Sequence, residues 1–177
     1  MTILDTLAAC FALAGAVLLV VAAVRRRGDL TRVIRSHGLL PSFLVRLTPL
    51  IGPAEGLAGA AVLAGWATGE ARLLRPAAAA VALWYVALAG YLAVLLRRRG
   101  GVPCGCLDGT SPVSAAKVGR AALLALATAP LVAGWPPVPA EPGARLVACG
   151  LAGFAAAFVI VAGKVADLHG TSTAHGR

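Results

Sequence analysis

This sequence is poor in charge. Asp, Glu, Lys and Arg make up 13% of its 177 residues, against an apolar share of 59%. A soluble domain of this size carries about a quarter charged residues. So few charged groups cannot cover a water-facing surface, whereas lipid removes the need for them. Cysteine is also scarce. Four cysteines, two of them inside apolar runs, exclude a disulfide-scaffold fold. No soluble domain, internal repeat or long linker is legible. The expected class is therefore all-α, a polytopic membrane helix bundle.

Five apolar stretches reach the length of about 20 residues that a spanning helix needs. They cover residues 3–24, 48–66, 76–96, 115–135 and 145–163. Residues 1–169 then form a single transmembrane domain, and 170–177 a polar, disordered tail. The first stretch is not expected to be a plain secretory signal, because arginines follow it rather than precede it. Pro76 suits the first turn of the third span, and Pro130 should kink the fourth. Pro136-Pro137-Val138-Pro139 reads as a stiff turn. Between the first two spans, Leu30, Val33, Ile34 and His37 share one face of a short amphipathic helix. Asp29 can cap that helix, Gly38 and Pro41 end it, and it should lie along the membrane surface.

The net charge of +9 does not indicate nucleic-acid binding. Arg25-Arg26-Arg27 and Arg97-Arg98-Arg99 each directly follow a long apolar run, as the cytoplasmic flanks of membrane helices do. Segments 25–49, 97–120 and 164–177 share one side and hold six, five and two Lys or Arg residues; the other side holds Arg72, Arg75 and Arg145. The positive-inside rule places the N-terminus outside and the C-terminus in the cytoplasm. The lipid bilayer is the first expected partner.

The stretch richest in chemistry is Gly100-Gly-Val-Pro-Cys-Gly-Cys-Leu-Asp-Gly109. Cys104 and Cys106 stand one residue apart, between Pro103 and flexible glycines. A disulfide across so small a ring is strained and easily reduced, and Gly105 lets the backbone reach it. Arg97 to Arg99, Lys117 and Arg120 flank the pair, and positive charge favours thiolate. Redox cycling is one reading. Metal binding is another: two thiolates could hold Cu(I), or part of a zinc site completed from His37, His169 and His175. A third is two unmodified thiols in a tight turn. Glu55 is the acid that falls within an apolar span. It is a candidate by default, although a place in the first turn after Pro53 would account for it through the helix dipole. An ion pair between Glu55 and Arg120 would brace the cysteine pair, or set a proton acceptor beside it. His37 is expected at the interface. Trp84, Tyr85 and Tyr91 either pack against lipid and helices or line a quinone pocket. Cys10 and Cys149 lie near the opposite face of a core about 30 Å thick. Direct sulfur contact with the Cys104/Cys106 pair is out of reach, and they read as small apolar residues.

These motifs, in this order, resemble the MauE family, the methylamine-utilisation membrane proteins related to DoxX. The resemblance rests on Cys104-Gly-Cys106 after the third span, Arg120 fourteen residues later, His37-Gly-Leu-Leu-Pro41 after the first span, and Pro53-Ala-Glu55 at the second. It extends from the first span through the fourth. Two positions depart from the family pattern: Leu107 stands where an aromatic is usual, and Ala121 where Asn commonly follows the Arg. The resemblance implies a membrane component, in the bacterial cytoplasmic membrane, that supports maturation of an exported, disulfide-rich enzyme through thiol redox with a thioredoxin-like partner. Exported disulfides form outside, whereas the charge pattern puts the pair on the cytoplasmic side, where it would take in reducing equivalents. The alternative function is a non-enzymatic membrane assembly subunit without thiol chemistry. No resident metal is expected, and a quinone is the cofactor to consider.

Overall fold

The computed structural model describes residues 2–25, 30–39, 41–98, 102 and 112–174, with backbone alone for 30 and 162–174. It is all-helical. In chain order the elements are α1 (Ile3–Arg25), α2 (Leu30–His37), α3 (Ser42–Arg46), a 3-10 turn at Thr48–Leu50, α4 (Ile51–Thr68), α5 (Ala71–Arg98), α6 (Ala115–Val132) and α7 (Pro142–Ala174). Five of these helices are long and apolar enough to cross a membrane. The protein is thus a multi-pass membrane protein with the expected number of spans.

The helix ends are set by local chemistry, and several depart from the sequence reading. α4 stops at Gly69, whose φ of 76° no other residue type adopts cheaply. Glu70 then starts α5. Its carbonyl accepts from the Leu73 and Leu74 amides, and its carboxylate accepts from the Arg72 amide at 3.3 Å. Pro76 therefore lies inside α5, beyond its first turn. Ser114 caps α6 by accepting from the Lys117 amide. That helix ends at Val132, short of Trp135, so Pro130 sits near its end and not at a mid-span kink. Pro142 opens α7, where its missing N–H costs nothing. The Pro-rich segment before it is non-helical, as expected. No proline follows Pro142, and α7 runs past Gly170 to Ala174, into the stretch read from sequence as a tail.

α1 is the central post and packs against α4, α6 and α7; α5 packs against α4 and α6. Lipid tails are as apolar as leucine, so helices in a bilayer associate through close van der Waals contact, which small residues permit. Ala9, Ala12 and Ala16 on α1 and Ala148, Ala152 and Ala156 on α7 are all buried in the main core. Gly59 does the same work between α4 and α1: a Cβ added there would lie 2.5 Å from the Ala16 carbonyl oxygen. Trp66, Leu13 and Val81 fill the centre. At the end of the bundle holding the α4–α5 turn, Arg145 donates to the carbonyls of Pro139, Ala140 and Ala67. One of the three cations on the less basic side is thereby tied to loop backbone.

Candidate functional site

The connection between α5 and α6 is anchored at both edges. The Val113 amide donates to the Val102 carbonyl at 3.0 Å. Val113 packs with the buried Leu92 and Leu95, and Leu39, Tyr91, Val102 and Val118 close around them. Pro103, Cys104, Gly105 and Cys106, the core of the expected site, lie outside the described residues. Of the flanking residues, Val102 on one side and Pro112 and Val113 on the other are described.

Beside this anchor, between α1, α4, α5 and α6, lies a cavity of about 80 Å³. Glu55, Tyr85, Lys117 and Arg120 contribute its polar wall, and leucines from α1, α5 and α6, with Ala22 and Ala121, the rest. Leu92 belongs both to this cavity and to the cluster under the connection. The structure thus brings Glu55 and Arg120 to one site. The first-turn account of Glu55 does not hold. The 3-10 turn leads into α4 at Ile51, ahead of Pro53, so Glu55 falls after the first turn and is 5% exposed. Its Oε1 accepts a hydrogen bond from the Trp84 indole at 3.0 Å. A buried carboxylate requires such donors, since an uncompensated charge in low dielectric is costly.

His37 is 2% exposed, packed within the protein. α2 folds back so that its last residue reaches α5, where His37 Nδ1 and the Tyr91 hydroxyl share a hydrogen bond of 2.5 Å. Tyr91 packs on the cluster under the connection. Asp29, the expected cap of α2, lies outside the described residues. α3 and the 3-10 turn, missing from the sequence reading, hold α2 in place: Thr31 and Thr48 join through their hydroxyls at 2.7 Å. The Tyr85 hydroxyl donates to the Gly15 carbonyl at 2.7 Å and so locks α5 to α1 beside the cavity.

The three aromatic residues singled out from sequence thus all make a polar contact, Trp84 with Glu55, Tyr85 with Gly15 and Tyr91 with His37. Sequence reasoning did not find the Trp84–Glu55 bond or the place of Lys117 in the cavity wall. The residues of that bond stand 29 positions apart, and no local pattern joins them. Cys10 is buried and Cys149 half-buried, on α1 and α7 respectively.

No curated protein and no solved structure matches the chain. Residues 4–135 match the family described as Methylamine utilisation protein MauE, a stretch that takes in α1 through α6 and both anchors of the Cys-Gly-Cys connection. Covering about three quarters of the sequence, that match means that the chain belongs to the MauE family of membrane proteins.

Proposed function

We propose that this protein is a thiol–disulfide exchange component of the bacterial cytoplasmic membrane, acting through Cys104 and Cys106 in support of another, exported protein. The thiolate of one cysteine would attack the disulfide of a thioredoxin-like partner and form a mixed disulfide. The second thiolate would resolve it, leaving an intramolecular disulfide here and a dithiol on the partner; the reverse sequence returns the electrons. The N-terminus faces outside and the C-terminus the cytoplasm, on the strength of the Lys/Arg distribution.

One observation carries this reading. The connection that bears the two cysteines is tied at Val102 and Val113 to a packed base, next to a cavity whose wall holds Lys117, Arg120 and Glu55. Cations near a thiol favour thiolate, and a neighbouring carboxylate can take or return a proton. A purely structural turn has no need of that arrangement. The supporting roles follow. Arg120 and Lys117 supply positive potential, Glu55 handles protons, and His37 holds Tyr91 and the base in register.

The test is maturation of the client in cells carrying Cys104→Ser, Cys106→Ser or both. Each single change should abolish activity about as fully as the double change, because the pair acts as a unit. Membrane levels should stay normal. One single variant should accumulate a mixed disulfide with the partner. A double variant that matures the client at the parental rate would replace this reading with that of an assembly subunit without thiol chemistry.

A further inference from the structure

We propose that the groove between α2 and α3 is a headgroup site for an anionic glycerophospholipid. The site is independent of the thiol chemistry proposed above.

Its position in the bundle comes first. α1 ends at Arg25, and the next span begins at Thr48. α2 and α3 therefore stand at the edge of the hydrocarbon core, the level of the lipid phosphates. α2 packs on α3 and on the 3-10 turn, and the Thr31 and Thr48 hydroxyls tie them together at 2.7 Å. It turns Ile34 and His37 inward and leaves Arg32 and Arg35 outward. Across α3 and the turn after it, by contrast, Phe43, Leu44, Leu47 and Leu50 are exposed, Phe43 by 63%. Such side chains at a membrane boundary are stabilised by acyl chains. A cationic face and an apolar face thus adjoin.

Between them opens a groove of about 390 Å³, lined by Arg35, Ser42, Val45 and Arg46. Ligand clefts measure about 300–1,000 Å³. Val45 is buried and forms the floor. The two arginines bring donors only, and a guanidinium fork matches two oxygens of a phosphate. The Ser42 hydroxyl adds another donor. Among the described residues, the side chains of Arg35, Ser42 and Arg46 make no hydrogen bond or ion pair. Residues 30–54 hold Arg32, Arg35 and Arg46 and no Asp or Glu. A phosphate there meets no competing anion, and the ammonium of a zwitterionic head meets no carboxylate. The chemistry selected is a phosphodiester without an amine, as in phosphatidylglycerol. Free phosphate would satisfy the arginines but not the apolar row beside them. A lipid answers both, with its phosphate in the groove and its chains along Phe43 and Leu47. Bound there, it clamps α3 to α2, the helix that carries His37 to Tyr91.

The test titrates the full-length protein in mild detergent with phosphatidylglycerol, and separately with phosphatidylethanolamine of the same chains. Native mass spectrometry counts the bound lipid. Phosphatidylglycerol should bind at least about tenfold more tightly, the equivalent of one charged hydrogen bond. Arg35→Gln and Arg46→Gln should each weaken it about tenfold for the same reason. Ser42→Asp sets a carboxylate at the groove and should abolish the preference. All three positions are exposed, so unfolding midpoints without lipid should match the parent's. Phosphatidylglycerol should raise the midpoint of the parent but not of Ser42→Asp. Arg25→Gln, on the same side but outside the groove, should bind as the parent does. Equal affinity for the two lipids, or an equal loss in Arg25→Gln, would show diffuse surface charge and overturn the site. Displacement of phosphatidylglycerol by excess inorganic phosphate would overturn the lipid assignment in favour of a soluble phosphate compound.

Discussion

Replacing Gly59 with alanine should loosen the protein at the point where α4 crosses α1. An added Cβ would sit 2.5 Å from the Ala16 carbonyl oxygen and 3.0 Å from Val20 Cγ2. A carbon meets a carbonyl oxygen comfortably at about 3.3–3.6 Å. The obstacle is backbone, so no side-chain rotation relieves it, and the helices must separate by about 1 Å. Overpacking of this kind costs about 1–3 kcal/mol. Against it stands the helix preference of alanine over glycine, about 1 kcal/mol. The clash is the larger effect, and a net loss of about 1–2 kcal/mol is expected. Gly90→Ala provides the control: it lies within α5 with nothing within 4 Å of an added Cβ, so only the propensity gain remains. Denaturant unfolding of purified protein in mild detergent should rank Gly90→Ala at or above the parent and Gly59→Ala clearly below it. Glu55 lies one turn before Gly59, so the same variant should also weaken whatever the cavity does. Equal stability of Gly59→Ala and Gly90→Ala would refute the close crossing.

The proposed orientation makes Cys104 and Cys106 inaccessible to a membrane-impermeant thiol reagent applied to intact cells; strong labelling that vanishes in the single Cys→Ser variants would invert the topology. Glu55→Gln and Arg120→Gln should each lower the amount of protein in the membrane more than the double change does, because a single change leaves an uncompensated charge in the cavity wall. The coupling should fall at about 0.5–3 kcal/mol, and strictly additive effects would mean that the two side chains do not interact. Tyr91→Phe removes the hydroxyl bonded to His37 Nδ1 and should destabilise the protein by about 1–3 kcal/mol; an unchanged Tm would show that α2 is not held to α5 through this bond.

The sequence alone determined the membrane setting, the count of five spans and the family. These are local properties: lipid acts on each residue in turn, so a sufficiently long apolar run spans wherever it lies. The motifs His37-Gly-Leu-Leu-Pro41, Pro53-Ala-Glu55 and Cys104-Gly-Cys106 with Arg120 were legible for a similar reason, as order and spacing along one chain. The rotational setting of each helix was not legible. A surface helix of a soluble protein reveals its buried face through hydrophobic periodicity, but α1 and α4 are apolar on every side and carry no such stripe. Which face turns inward is decided by close contact at small residues, such as Gly59 against the Ala16 backbone and the alanine rows of α1 and α7. Only that tertiary packing could turn Glu55 toward Trp84, gather Lys117 and Arg120 into the same wall, and bring His37 into contact with Tyr91. Helix starts escaped for a related reason. A run of hydropathy shows where a helix must be apolar, whereas Glu70 and Pro142 begin α5 and α7 earlier through backbone hydrogen bonding and the fixed proline φ.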